Sequence, residues 1–155
     1  DDCENVSDWV FEQLNDSLTR LGVSQLYGLL LHRPYQLLEP NGLFIYKALR
    51  QLKDDGLIQK IGISIYDPSE LDALFEMFDF DLIQAPFNVL DRRILKSGWL
   101  TRLSNAGIEV HTRSAFLQGL LLMNRDEMPK KFAQFIRCLF LRLVKLCLVL
   151  ITVFN

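Results

Sequence analysis

Leu29-Leu30-Leu31 is an uninterrupted apolar run that stops abruptly at His32-Arg33-Pro34. A strand of a parallel sheet reads this way, because layers of helices cover both of its faces and leave no place for alternating polar residues. The polar residue at the end of such a run is delivered to one edge of the sheet. In a barrel of alternating strands and helices, chemistry is placed at that edge. The imidazole of His32 can donate or accept a proton. A histidine that merely caps a strand fits the run equally well.

The rest of the chain repeats the pattern. Ser7 caps a helix running to residue 21, with Val10, Leu14, Leu18 and Leu21 as its apolar stripe and Phe11 beside it. Gly22 ends that helix. A strand follows over 26–31, a loop over 35–41, and a helix over 43–55 that stops at Gly56. Next come a strand over 58–64 and a helix begun by Asp67-Pro68, with Leu71, Leu74, Phe75 and Phe78 on its buried face. A short strand at Leu82-Ile83-Gln84, a helix over 97–105, and a strand over 108–112 complete the series. Strands alternating with helices through short links are parallel and joined by right-handed crossovers. The candidates are an open doubly wound sheet and a (β/α)8 barrel. No Gly-x-Gly-x-x-Gly follows any strand, so the open nucleotide-binding sheet lacks its usual mark. His32, Ser64, Gln84, and Arg113 with Ser114 end the four strands and converge on one face. That convergence favours a barrel, or part of one, in an α/β fold.

Composition narrows the functional classes. Half of the 155 residues are hydrophobic, enough for a sizeable core. A formal net charge of -2 gives no reason to expect nucleic acid or an anionic membrane as partner. Cys3, Cys138 and Cys147 are odd in number and widely spaced, which argues against a disulfide framework and a zinc site. Reduced thiols and a cytoplasmic location are the default reading. The chain begins Asp1-Asp2-Cys3, so it reads as cut from something longer.

These residues also carry a family resemblance. The segment 17–23, Ser-Leu-Thr-Arg-Leu-Gly-Val, followed by Leu29-Leu30-Leu31-His32-Arg33-Pro34, resembles the middle of the aldo/keto reductases. Ile61-Gly62-Ile63-Ser64, Gln84-Ala85-Pro86-Phe87-Asn88 and the segment 114–121 are similar to that family's next blocks, in order and at suitable spacing. The resemblance runs from about Val6 to Phe135. It divides the chain into a partial reductase barrel over 1–135 and an apolar tail over 136–155. It implies a (β/α)8 barrel that binds extended NADPH at the strand C-termini and transfers hydride to a small carbonyl substrate. In that scheme a tyrosine is the general acid, a histidine orients the carbonyl, and a lysine–aspartate pair tunes the tyrosine. His32 matches the histidine. Ser64 and Gln84 match the pair that holds the nicotinamide carboxamide, which needs a donor and an acceptor together. Ser114, Phe116 and Gln118 fall in the loop that lies against the dinucleotide.

The sequence departs from the family in three ways. The family's Ser-Asn reads Ser64-Ile65, so one carboxamide contact is lost. The tyrosine that stacks on the nicotinamide is Arg113, whose guanidinium stacks on rings but repels an oxidised, cationic one. The tetrad's aspartate, tyrosine and lysine belong to strands that precede residue 1. The alternative is therefore a catalytically inactive barrel fragment that serves as a binding or assembly module, or has no function.

Several residues have plainer readings. Tyr27 and Tyr46 sit at core-like positions, while Tyr35 and Tyr66 lie just beyond strands that face the site. Nothing in the sequence places a lysine beside either to lower its pKa. His111 reads as a strand residue beside a helix. Asp54-Asp55 and Asp79 to Asp81 read as solvated helix ends and loops, and Asp91-Arg92-Arg93 as a salt-bridge cluster. The stretch 139–154 is apolar but broken by Arg142 and Lys145, too short a clean run for a membrane span of about 20 residues. A half barrel exposes strand edges, and unpaired edges recruit other chains, so self-association is expected.

Overall fold

The computed structural model describes residues 2–124, 127–129 and 132. Helix α1 (Asp2–Leu21) leads into strand β1 (Leu26–Leu31), a 3-10 turn (Pro34–Leu38) and helix α2 (Gly42–Asp54). Strand β2 (Ile58–Ser64), helix α3 (Glu70–Met77) and strand β3 (Leu82–Pro86) follow. Two short helices, α4 (Arg93–Lys96) and α5 (Trp99–Asn105), precede strand β4 (Glu109–Arg113) and a last 3-10 turn (Leu120–Leu122). The four strands are parallel in the order β1-β2-β3-β4, the progression of consecutive strands around a (β/α)8 barrel. This is part of such a barrel. The boundary expected at 135 and the apolar tail beyond it lie outside the described residues.

Glycine sets the period of the repeat. Gly22, Gly56 and Gly107 have φ of +67°, +74° and +71°, values that a side chain strains to reach. At each, the glycine N–H reaches a carbonyl three residues back and the following N–H one five back, as in Val23 to Leu18 O, Leu57 to Leu52 O and Ile108 to Leu103 O. These double bonds close the last turns of α1, α2 and α5 and aim the chain into the next strand.

The core lies between the sheet and its helices. Ile61, Ile63, Ile65, Ile83 and Ala85 alternate toward it from β2, the residue that follows β2, and β3. Leu14, Leu49, Leu71, Leu74 and Leu103 meet them from the helices. Each fully buried Leu or Ile contributes about 1.5–3 kcal/mol. Gly62, on the other face, has no room for a side chain. A Cβ there would sit 2.6 Å from the Leu82 carbonyl oxygen and 3.1 Å from Leu30.

The structure corrects several details of the sequence reading. α1 begins well before Ser7, which therefore is not its cap. Its buried stripe is Val10, Leu14 and Leu18, whereas Leu21 and Phe11 are exposed. Residues 34–38 form a 3-10 turn rather than open loop. The expected helix over 97–105 is α5 alone, with α4 a separate turn before it. Asp81 is not a solvated loop carboxylate. It accepts two bonds from Lys53 Nζ, at 2.6 and 2.8 Å, and one from the Ile61 N–H at 2.9 Å. Burial pushes its pKa up, but Lys53 and the Ile61 N–H outweigh that and hold it below the ordinary carboxylate value. The salt-bridge reading of Asp91-Arg92-Arg93 holds for Arg93, which bridges Asp91 at 2.7 Å and Asp67 at 2.6 Å.

Candidate active site

Parallel register carries the ends of all four strands to one side. Ser64 pairs with Gln84 across β2 and β3, and Pro86 with Arg113 across β3 and β4. His32 follows the last residue of β1, itself paired with Ile63. Gln84 is not quite terminal, since β3 continues to Pro86.

Two groupings result. In the first, Ser64 Oγ donates to Gln84 Oε1 at 3.0 Å. Ser64 is buried and Gln84 half-buried. The bond spends the hydroxyl proton and one amide lone pair. It leaves the Ser64 oxygen as acceptor and the Gln84 NH2 as donor, side by side. A carboxamide needs that combination, so these residues fit the nicotinamide amide that the resemblance implies.

The second grouping centres on Tyr66. Its ring meets His32 edge to face, with centroids 6.1 Å apart. The Arg113 guanidinium lies 4.4 Å from the same ring centroid, and its Nη2 donates to the Ile65 carbonyl at 3.0 Å. Tyr66 is also held from its backbone. Glu70, in the first turn of α3, accepts the N–H groups of Tyr66 at 2.8 Å and Asp67 at 2.6 Å. The Ser69 N–H and hydroxyl both donate to Asp67 Oδ1. Those two bonds, with Arg93 behind them, hold the Asp67 carboxyl below its ordinary pKa. His32 and Tyr66 are solvent-accessible, so a small molecule can reach both.

Sequence reasoning noted Tyr66 as able to reach the site but did not pair it with His32 or Arg113. The available signal was its position two residues past Ser64. Tyr35, the other tyrosine so noted, is exposed within the 3-10 turn. Tyr27 is not a core residue. Its hydroxyl lies 2.6 and 2.8 Å from the two Glu109 carboxylate oxygens. Lys60 Nζ bonds Glu109 as well and sits over the Tyr27 ring, and His111 Nε2 lies 3.5 Å from Glu109. Bonds from Lys60 and then Tyr27, more than burial, lower the Glu109 pKa.

The remaining sequence candidates stand on the loop after β4. Asn88 Nδ2 donates to the Ser114 carbonyl at 3.2 Å, and the Phe87 N–H donates to the Arg113 carbonyl at 3.1 Å, tying that loop to the loop after β3. Ser114, Leu117 and Gln118 have φ of +59°, +49° and +56°, a conformation that costs a residue with a side chain of order 1–3 kcal/mol. Phe116 and Gln118 are exposed and are not drawn into the His32–Tyr66–Arg113 grouping. Among the described residues, no group of three or more His, Cys, Asp or Glu is arranged to hold a metal, and no helix is long and apolar enough to cross a membrane.

The description of the aldo/keto reductase family matches residues 5–137. The chain belongs to the aldo/keto reductase family. It is 30% identical over 123 residues to the NADH-specific methylglyoxal reductase of Escherichia coli (strain K12), an alignment that covers 76% of this chain and 37% of that protein. It is similar in structure to the aldo-keto reductase AKR11C1 from Bacillus halodurans in its holo form, with a TM-score of 0.62 and 26% identity, over 80% of this chain and 41% of that one. The glycerol dehydrogenase AKR11B4 from Gluconobacter oxydans aligns with a TM-score of 0.60 and 27% identity, over 82% of this chain and 39% of that one. This aldo/keto reductase chain therefore spans about two-fifths of the length of these relatives.

Proposed function

We propose that the C-terminal ends of β1–β4 form the nicotinamide- and carbonyl-facing part of an NAD(P)H-dependent reductase of small carbonyl compounds. The observation that carries this reading is the Ser64–Gln84 pair, with a free acceptor and a free donor, on the strand-end side that also presents His32. When bound, the cofactor supplies hydride. Ser64 and Gln84 hold its carboxamide. A ring nitrogen of His32 donates to the substrate oxygen, where negative charge builds during reduction and a placed donor acts most strongly. Ser114, Phe116 and Gln118 take the dinucleotide beyond the nicotinamide. Arg113 stands where the family stacks a tyrosine on the nicotinamide, and its guanidinium already lies against Tyr66. NADPH is the cofactor the resemblance implies. The relative named as NADH-specific makes the choice between the two an arm of the test. Titration of the 155-residue chain with NADPH and with NADH, followed by fluorescence, is the direct experiment. Binding weakened by Gln84→Ala supports the reading, and binding indifferent to both Ser64→Ala and Gln84→Ala contradicts it.

A second reading has its own observation. Within the described sheet, β1 and β4 each pair on one side only. A groove of about 370 Å³, lined by Trp9, Gln13, Leu30 and His32 among others, runs beside β1. A free edge next to an apolar groove recruits a further strand. On this reading the 155 residues form an assembly module whose partner is a second copy. Light scattering separates the two: a stable monomer that binds cofactor leaves no room for the assembly reading.

A further inference from the structure

The Arg113 side chain reaches across the sheet to the Ser64–Gln84 pair. In the register Gln84 lies opposite Ser64, and Arg113 lies opposite Pro86, two residues further along β3. From there the side chain crosses β3 and donates from Nη2 to the Ile65 carbonyl at 3.0 Å. Ile65 directly follows Ser64, and its own N–H donates to the Gln84 carbonyl at 2.9 Å. The guanidinium therefore ends beside the pair. A carboxamide is bonded directly to its nicotinamide ring, so a ring held through Ser64 and Gln84 lies against the guanidinium.

The charge at that place is fixed and uncompensated. Arg113 is half-buried, with its guanidinium 4.4 Å from the Tyr66 ring centroid, one edge on the Ile65 carbonyl, and its Nε enclosed. Moving it aside breaks those contacts. Glu109, the acid on its own strand, bridges Lys60, and Asp67, two residues past Ile65, bridges Arg93. Among the described residues, no carboxylate is in ion-pairing distance of Arg113. The two redox states of a nicotinamide differ by one charge, because loss of hydride turns a neutral ring into a cation. Two like charges about 4 Å apart shift an equilibrium about fivefold even at the dielectric of bulk water, and more where water is partly excluded. We propose that Arg113 sets the redox-state specificity of the site, admitting the neutral reduced ring and disfavouring the cationic oxidised one. The proposal rests on the carboxamide reading of Ser64 and Gln84 given above. The charge sorts the two forms at loading and at release. It favours uptake of the reduced cofactor and speeds departure of the oxidised one after hydride has left, and it does not alter the overall equilibrium of the reaction.

The test is a nuclear magnetic resonance titration of the 155-residue chain with NADH and with NAD+, which share their phosphates and adenosine and differ only in the ring. The unaltered chain is expected to bind NADH about tenfold or more tightly than NAD+ at low ionic strength. Arg113→Gln is expected to remove most of that ratio, chiefly by strengthening NAD+ binding, and Arg92→Gln to retain it. Equal affinities for the two forms in the unaltered chain overturn the proposal. So does an unchanged ratio in a folded Arg113→Gln variant. If Arg113→Gln weakens both forms equally, the guanidinium serves a phosphate that both share, and the proposal falls. A ratio near one, with both affinities lowered by Gln84→Ala, overturns the proposal while the carboxamide reading stands. A ratio that depends on Arg113, with both affinities indifferent to Ser64→Ala and Gln84→Ala, leaves the charge effect standing and removes the carboxamide reading. Failure of the chain to bind either form overturns both.

Discussion

Toward the N-terminal ends of the strands, Tyr27, Lys60 and Glu109 form a network that His111, level with Gln84 in the register, reaches through Glu109; both Glu109 oxygens have partners and Lys60 has a carboxylate and a ring. At the C-terminal ends, among the described residues, the Ser64–Gln84 pair leaves a donor and an acceptor free, His32 meets the Tyr66 ring edge to face, and the Arg113 Nε is unpaired. The first arrangement spends its polar groups on the fold. The second holds them in place without spending them, as a ligand site must. We propose that the contrast separates structural from functional polarity within one sheet, in the direction in which barrel enzymes place chemistry.

The largest effect expected from this contrast concerns turnover. The resemblance assigns the general acid and its tuning pair to strands outside this sequence, and such an acid contributes about 100- to 10,000-fold in rate. The 155-residue chain is therefore expected to show no NADPH oxidation with a panel of aldehydes. Turnover that disappears on His32→Ala would break the expectation and make Tyr66, the phenol beside His32, the first candidate for the acid.

The next effect is on stability. Gly62 lies between the two polar regions, and a Cβ there meets the Leu82 backbone oxygen. Gly62→Val is expected to cost about 1–3 kcal/mol through forced backbone shifts. Denaturant unfolding measures it, and a loss within error would mean that β2 and β3 separate more easily than their packing indicates.

A smaller effect separates the site from its surroundings. Gln84→Ala should weaken nicotinamide binding by about 0.5–1.5 kcal/mol, the value of one neutral hydrogen bond. Arg92→Ala, in the loop after β3, should change it less. Equal affinities for the two variants in a cofactor titration would remove Gln84 from the site.

Much of this was legible from residue order. The apolar runs and the glycine stops located all four strands and most helix ends, because both signals act within a few residues. That Ser64 and Gln84 converge on one face followed from two strand ends in parallel register, and that they stand side by side from the family resemblance. The network at the other end was not legible. Tyr27 and Glu109 are 82 positions apart, and Lys60 and Glu109 are 49, so nothing local marks them as partners. Tyr27 looked apolar for the same reason. The replacement of a stacking tyrosine by Arg113 is legible from the resemblance, but its contact with Tyr66, placed by Glu70 and the Asp67–Ser69 turn, is not.

The smallest expected effect is at the satisfied end, and it depends on pH. Lys60 and Tyr27 depress the folded-state pKa of Glu109 below its ordinary 4.5. A depressed carboxylate pKa stabilises the fold above the unfolded value, and the contribution is lost as pH falls through the folded value. Glu109→Gln should therefore be slightly less stable than the unaltered chain near neutral pH, with the difference vanishing in acid. A difference that persists in acid would mean that packing, not charge, accounts for the role of Glu109.

The central claim is that the C-terminal strand ends receive the nicotinamide and the N-terminal ends do not. A residue-resolved titration of the 155-residue chain with NADPH, read on side-chain signals, tests it most directly. The account expects shifts at the Gln84 amide, His32 and Arg113, with Tyr27, Lys60 and Glu109 unmoved. Shifts centred on the Tyr27–Lys60–Glu109 network, or none at Gln84 at saturating cofactor, would contradict it.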